Sequence, residues 1–139
     1  MATTTAQITL TSTDIADNAL SISNTMTLTT AGTETGITET TGLARKKIAS
    51  SSLADLITVA NTDVTAAKSA KVYIKNTSTA TDKYGLVGIG DSSGTPIYIG
   101  RLYGGDWMLI PWDANSGEDI TMTMNDATAT IIEYMVFFE

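Results

Sequence analysis

Apolar side chains recur at every second position through much of this 139-residue chain, and this period constrains the fold more than any other sequence feature. In KVYIKN, residues 71–76, Val72 and Ile74 alternate with charged or aromatic residues. In residues 120–124, isoleucine and methionine alternate with threonine. A β-strand sends successive side chains to opposite faces, whereas a helix repeats about every 3.6 residues. The pattern therefore predicts strands, and the abundance of threonine, a β-branched residue, supports the same prediction.

Turn-forming residues divide the alternating pattern into about eight to ten short strands. Three strands are predicted at 84–90, 96–103 and 106–112, with glycine-containing turns between them. The last run, 129–138, is too apolar to lie free in solvent, so we expect it in the middle of a sheet. The predicted fold class is all-β, an antiparallel β-sandwich or jelly roll.

Two parts of the chain allow more than one interpretation. Residues 50–70 contain LITVA, which is typical of a strand, but their leucines and isoleucine would also share one face of a short helix. We expect a strand there, or a turn of helix leading into one. The threonine-rich start differs in composition from the rest, so residues 1–19 are either an extended arm or the first strands of a single domain spanning 1–139.

Composition and charge restrict the possible functions. The sequence has no cysteine and no histidine, which removes thiol nucleophiles, disulfides, the usual zinc sites and the commonest proton carrier at neutral pH. A formal net charge of −7 repels nucleic-acid phosphates and anionic lipid headgroups. The sequence shows neither a signal peptide nor a run of ~20 apolar residues. We therefore expect a protein that is not an enzyme, has no cofactor, binds neither nucleic acid nor membranes, and is made in the cytoplasm.

Two further patterns have an ordinary structural explanation. The glycine-rich run 85–94 resembles a phosphate-binding loop, but no helix pattern follows it and no G-K-[ST] ending is present. Several acidic residues in predicted loops would suit calcium or a glycosidase pair. They are Asp106, Asp113, Glu118, Asp119 and Asp126. Their spacing matches no calcium loop, so we expect turn-forming residues in both patterns and rank a small hydrolase last.

Four aromatic residues lie close together in the sequence and are candidates for contacts with a partner. They are Tyr98, Tyr103, Trp107 and Trp112. In DWMLIPW, residues 106–112, Trp107 falls on one face of the strand and Trp112 on the other, and both faces are apolar. Such a strand either has a central position within its own chain or is covered partly by another subunit. Tyr103, Trp107 and Trp112 are the predicted contact residues.

Arg45, Lys46 and Lys47 form the only basic cluster of an otherwise acidic chain. Adjacent charges of this kind are typical of an edge strand, where they discourage aggregation between sheets. They are also the best candidates for a salt-sensitive contact with an acidic partner surface. We therefore predict an edge strand at this cluster and include all three residues in the partner-binding set.

Three segments, KVYIKNTSTATDKYGLVGIG, IGRLYGGDWMLIPWDA and ATIIEYMVFFE, resemble small virion proteins of tailed bacteriophages, especially those of aquatic hosts. The similarity covers roughly residues 71–139, and a weaker similarity is present in the threonine-rich start. The shared features are an alternating strand ending in K-N-T, a glycine-flanked strand reading G-x-W-x-x-x-P-W, and a closing strand with E-Y-x-x-F. These motifs are structural and not catalytic.

The resemblance implies a head decoration, or cement, protein with a β-sandwich or jelly-roll fold. Such proteins sit on the outside of the capsid and bridge subunits of the major capsid protein, often as a trimer. On this interpretation the chain is a homo-oligomer, with a trimer favoured, located on the capsid exterior of the virion. By binding only the expanded shell, it would stabilise that state by the free energy of its own contacts. The alternative is a tail or fibre component whose Tyr103, Trp107 and Trp112 form a platform for host surface glycans.

Overall fold

The computed structural model describes residues 4–13, 19–28, 37, 39–50, 52–62, 64 and 70–138. The chain divides into two compact units, Met1–Thr38 and Glu39–Glu139. All regular elements of the described residues are β-strands except for one turn of 3-10 helix, Val59–Asn61. Within these residues, no helix has the length and apolar character needed to cross a membrane. The predicted all-β fold class is confirmed.

The first unit contains two antiparallel strands, β1 (Thr5–Ser12) and β2 (Leu20–Thr27). Their register pairs Thr5 with Thr27 and Ser12 with Leu20. The segment 1–19 therefore includes a strand that pairs within its own chain. Its contact with a neighbouring molecule stays a prediction, as does a single domain over residues 1–139.

The second unit contains nine strands in two antiparallel sheets. They are β3 (Glu39–Thr40), β4 (Ala44–Ile48), β5 (Ala54–Ile57), β6 (Ala70–Asn76), β7 (Tyr84–Ile89), β8 (Ile97–Tyr103), β9 (Trp107–Trp112), β10 (Ile120–Met124) and β11 (Thr130–Phe138). The four-stranded sheet has the order β5-β10-β7-β8. The five-stranded sheet has the order β3-β11-β6-β9, and β4 also pairs with β11.

Most strand predictions are confirmed, with boundaries that differ by one residue or less. The three strands predicted at 84–90, 96–103 and 106–112 are β7, β8 and β9. The closing strand β11 lies inside its sheet, as its apolar sequence predicts, with β6 on one side and β3 and β4 on the other. The ambiguous segment contains the expected strand, β5, and the single turn of 3-10 helix follows this strand and does not lead into it. The described residues contain eleven strands, and the short extended pieces β3 and β4 form separate pairings with β11.

One core holds the two sheets of the second unit together, as in a β-sandwich. Alternate residues of β6 and β11, such as Val72, Ile74 and Val136, point into this core and have essentially no exposed surface. Ile120 and Met122 of β10 supply the core side of the other sheet and are equally buried. Paired residues of an antiparallel ladder share a face, and successive residues of one strand point to opposite faces. The residues that alternate with the core residues therefore form the outer faces of the sheets.

Asn76, the asparagine of the K-N-T motif, connects three segments at the end of β6. It is fully buried, and its amide Nδ2 donates to the carbonyl oxygens of Lys83 at 3.2 Å and Leu102 at 3.0 Å. Its Oδ1 accepts a hydrogen bond from the backbone of Ser78. A buried amide satisfied in this way fixes the loop after β6 against β8. The turn between β8 and β9 also fits closely, because a Cβ at Gly104 would lie 2.2 Å from the carbonyl oxygen of Ala80.

Candidate partner-binding face

The outer face of the five-stranded sheet brings basic and aromatic residues together in one row. Across β4, β11, β6 and β9 the register places Arg45 beside Glu133, Glu133 beside Lys75, and Lys75 beside Trp107. Cross-strand neighbours on one face have their Cβ atoms about 4.5–5.5 Å apart. The row therefore runs without a break across four strands that are far apart in the sequence.

Two further rows extend this surface on the same face. One contains Met135, Tyr73 and Leu109, and the other contains Phe137, Lys71 and Pro111. Lys47 and Ile131 form an additional pair beside the first row. We call this surface the outer basic face, and its members are Arg45, Lys47, Lys71, Tyr73, Lys75, Trp107, Leu109, Pro111, Ile131, Glu133, Met135 and Phe137.

The charge of the outer basic face is opposite to that of the whole chain. Arg45, Lys47, Lys71 and Lys75 are four of the eight Lys and Arg residues of the sequence. Glu133 is the only acidic member, so four cations and one anion leave the face with a formal charge of +3 against −7 for the chain. This separation of charge favours the approach of an acidic surface to this side of the molecule.

Trp107 is the most prominent aromatic residue of the outer basic face. Its side chain is 49% exposed, and its ring centroid lies 6.3 Å from that of Tyr73 in a tilted arrangement. Burial, followed by the nearby Glu133 carboxylate, raises the pKa of the Tyr73 hydroxyl above 10.0, its ordinary value. Tyr73 is therefore a neutral hydrogen-bonding group at physiological pH. Tryptophan and tyrosine are enriched among the residues that form interface hot spots.

The basic cluster is divided between two sides of its edge strand. Arg45 and Lys47 belong to the outer basic face, whereas the alternation of β4 turns Lys46 away from it. The Nζ of Lys46 donates to the carbonyl oxygen of Asp55 on β5. The predicted edge strand is confirmed, since β4 pairs with β11 alone among the described strands. The three adjacent cations thus do not form one continuous contact patch.

Trp112 corrects the predicted set of contact residues. It is only 4% exposed, packs in the core, and donates from Nε1 to the carbonyl oxygen of Glu118 at 2.7 Å. A side chain buried within its own chain is not available to a partner. The alternative of a central position for this strand is also wrong, because β9 is the last strand in the order of its sheet. Of the two tryptophans, Trp107 is the exposed one, at 49%.

Tyr103 lies on the other sheet, away from Trp107. Its ring packs on Tyr84 with centroids 5.2 Å apart, and the guanidinium of Arg101 lies 4.7 Å from the centre of the Tyr84 ring. A hydrogen bond with Tyr103, together with the electrostatic effect of Tyr84, raises the pKa of Arg101 further above its usual range. Tyr98 is exposed on the same strand, β8. A single platform of Tyr103, Trp107 and Trp112 is therefore not formed.

A shallow depression opens beside Lys75 and Glu133, two members of the first row. Its walls are mainly hydroxyl-bearing and charged residues, namely Lys75, Thr77, Ser78, Thr79, Gly104 and Glu133. Thr77 donates from its hydroxyl to the carbonyl oxygen of Ile131 at 2.7 Å. Trp107 does not line the depression, but it is the register partner of Lys75, which does.

Asp106 and Asp126 act as turn-forming residues, as predicted, whereas Asp119 is buried and bonds to a residue 60 positions away. Asp106 accepts from the backbone of Tyr103 at 3.0 Å, and Asp119 accepts from the backbone of Val59 at 2.8 Å. Asp126 accepts from the backbone of Thr128 at 2.6 Å and forms an ion pair with Lys83 at 3.1 Å. In the part of the chain that the structure describes, no three acidic residues come close enough to hold a metal ion.

The polar and charged members of the outer basic face that sequence reasoning missed as candidates are Lys71, Tyr73, Lys75 and Glu133. The alternation of residues 71–76 already placed the first three on one side of a strand. What the sequence lacked was the register that sets β6 between β9 and β11. Comparison with known proteins adds nothing to these assignments, since no protein-family model, curated protein or solved structure matches the chain.

Proposed function

We propose that this chain is a structural virion protein that decorates the outside of a bacteriophage capsid. It binds the major capsid protein through the outer basic face. The observation that carries the proposal is this face itself, where Trp107 and Tyr73 lie among four cations on an acidic chain. The resemblance of the three C-terminal segments to small virion proteins supports the same function.

The chemistry of the outer basic face suits an acidic protein surface. The cations of this face attract the partner over distances of about 8–10 Å at physiological salt, while its aromatic residues exclude water once contact is made. A capsid presents the same acidic site many times, so even a weak individual contact gives high occupancy if the protein is oligomeric. Binding to the expanded shell alone stabilises that state, because the contact free energy is absent from every other state.

Binding to purified expanded capsids tests this function directly. We expect saturable binding that weakens as salt is raised, and an increase in the melting temperature of the shell. Lys47→Gln should weaken binding and reduce the salt dependence. Lys46→Gln is the matched control, because it removes the same charge from the adjacent residue on the other side of β4. Equal effects of the two variants would contradict the assignment of the outer basic face as the binding surface. Absence of binding at low salt would overturn the proposed decoration function.

A tail or fibre component that binds host glycans is the second candidate. The depression lined by hydroxyls favours it, because its wall includes Lys75, the register partner of the exposed Trp107, and sugars stack on aromatic rings and bond to polar groups at their edges. Quenching of tryptophan fluorescence by soluble polysaccharides distinguishes this function from capsid binding. Trp107→Phe should abolish the quenching, because Trp112 is buried and has no access to sugar.

A further inference from the structure

The hairpin of β1 and β2 carries an apolar surface that the proposed function does not use. Its register pairs Ala6 with Met26 and Leu10 with Ile22, so the apolar residues of both strands share one face. We call this surface the apolar hairpin face, and its members are Ala6, Ile8, Leu10, Leu20, Ile22 and Met26. Four of its large side chains, those of residues 8, 10, 22 and 26, are between 40% and 51% exposed. The opposite face of the hairpin consists of serine, threonine and glutamine.

The composition of the hairpin restricts the kind of partner that fits it. Strands β1 and β2 contain no Lys, Arg, Asp or Glu. A charged partner surface would lose its hydration here without gaining a counter-ion, which is unfavourable. The occupant is therefore an uncharged, largely apolar surface.

A second copy of this chain carries such an uncharged, largely apolar surface, namely its own apolar hairpin face. A two-stranded sheet is at best marginally stable alone in water, so packing of its apolar face against another sheet stabilises both. Two sheets pack about 10 Å apart with their inner side chains interdigitated. Because the two faces are identical, the contact is isologous and needs no other protein.

Asn24 favours a second copy over the apolar groove of another protein. It is one of two polar residues on this side of the hairpin, opposite Ile8 in the register; the other is Ser12, opposite Leu20. An amide carries both donors and acceptors, so the same residue of a second copy can satisfy it. A purely apolar groove would bury this amide without a partner, at a cost of about 1–3 kcal/mol.

We propose that the apolar hairpin face packs against the same face of a second copy of this chain. This association rests on the hairpin alone and does not depend on capsid binding. It is tested by the mass of the purified protein in solution over a range of concentrations. We expect a mass above that of one chain for the wild type. A wild type that stays a single chain at every concentration would overturn the proposal and leave the face to another occupant.

Two neighbouring substitutions test the face. Leu10→Lys places a charge on the apolar hairpin face and should weaken association at least about tenfold. Thr9→Lys places the same charge on the opposite face of the same strand and should leave the mass unchanged. Both positions are exposed in the single chain, so neither substitution removes a buried core residue. Association that survives Leu10→Lys, or that is lost equally with Thr9→Lys, contradicts the assignment.

Cross-linking gives a readout that does not require dissociation. Because the sequence has no cysteine, a single introduced thiol can cross-link only to another copy. A short thiol-specific cross-linker should join copies of Ile22→Cys much more efficiently than copies of Ser23→Cys, which faces the other side. Equal yields for the two variants would contradict the proposal. All these measurements omit the capsid, so their failure is distinct from failure of the decoration function.

Discussion

Glu133 on β11 accepts two hydrogen bonds from the guanidinium of Arg45 on β4, at 2.8 Å from Nε and 2.6 Å from Nη2. Lys75 flanks the same carboxylate from the other side. The Arg45 side chain is 66% exposed and that of Glu133 only 15%, so the anion is covered by its cationic neighbours. The one acid of the outer basic face thus holds Arg45 in a defined position, and at the same time reduces the positive charge available to a partner.

Glu133→Gln should strengthen binding to an acidic shell. The amide oxygen can still accept from Arg45, but the negative charge is gone, so association at low salt should become about two- to tenfold faster. The free energy of unfolding should fall by less than about 1 kcal/mol, because the Arg45 side of the ion pair is mostly exposed and the amide oxygen keeps a hydrogen bond to it. Stopped-flow binding to expanded capsids and urea denaturation measure the two effects. Asp113→Asn removes the same charge outside this face and is the control; an equal acceleration by both variants would contradict the role of the face.

The two tryptophans should respond in opposite ways to substitution. Trp112→Ala removes a buried indole and its hydrogen bond to Glu118, so it should lower the free energy of unfolding by about 3–5 kcal/mol. Trp107→Ala removes a half-exposed ring and should change stability by no more than about 1 kcal/mol while weakening capsid binding. Urea denaturation followed by circular dichroism measures both stabilities. A large stability loss for Trp107→Ala would show that this residue supports the fold and not a contact.

The amide of Asn76 should be the most sensitive polar group of the fold. Asn76→Ala leaves two carbonyl oxygens and one backbone N–H without their side-chain partner in a buried place, so we expect a loss of about 2–4 kcal/mol. Asn125 is a matched control, because its amide makes two comparable bonds, to Tyr84 and Asp82, in a more exposed position. Asn125→Ala should cost about 1 kcal/mol. Equal losses in chemical denaturation would indicate that burial does not set the difference.

Sequence reasoning succeeded where a property is local and failed where it depends on register. The alternation of β6 distinguishes its core side from its outer side, and the glycine pair 104–105 marks the turn after β8. The same alternation places Trp107 and Trp112 on opposite faces, yet it does not indicate which face is the core. That choice depends on β9 pairing with β6, because Trp112 lies beside the buried Ala70 and Trp107 beside Lys75.

Pairings between distant strands explain the missing part of the candidate site. Arg45 and Glu133 are 88 residues apart, and no composition or periodicity relates them. The basic cluster is continuous in the sequence, but a strand places neighbouring residues on opposite faces. Lys46 therefore lies outside the outer basic face, whereas Lys71 and Lys75 belong to it. The sequence therefore predicts the kind of surface, and the sheet order determines its members.

Thr121 offers a stabilising substitution. Its side chain is fully buried on β10, and its Oγ1 has no hydrogen-bond partner among the described residues. Thr121→Val keeps the shape and removes the unsatisfied hydroxyl, so the free energy of unfolding should rise by about 1 kcal/mol. Thr62→Val is the control, because that hydroxyl donates to the carbonyl oxygen of Val59 at 2.9 Å and its loss should destabilise by about 1 kcal/mol. Thermal melting of both variants checks the opposite signs.

Two turn carboxylates should make the fold sensitive to acid. Backbone hydrogen bonds from Ser93 and Thr128 lower the pKa of Asp91 and Asp126, respectively, below their ordinary value of 3.8. A depressed pKa in the folded state gives stability that is present above the unfolded pKa and is lost as the pH falls through the folded pKa. The free energy of unfolding should therefore decrease below about pH 4.

The double variant Asp91→Asn, Asp126→Asn isolates this contribution. An asparagine oxygen can still accept the backbone hydrogen bond but does not titrate, so the variant should lose less stability than the wild type between about pH 5 and pH 2.5. Urea denaturation at several pH values gives the two slopes. Since both carboxylates lie at the surface and Asp126 also pairs with Lys83, added salt should weaken the part of the effect that comes from the ion pair. Parallel curves for variant and wild type would mean that other carboxylates control acid unfolding.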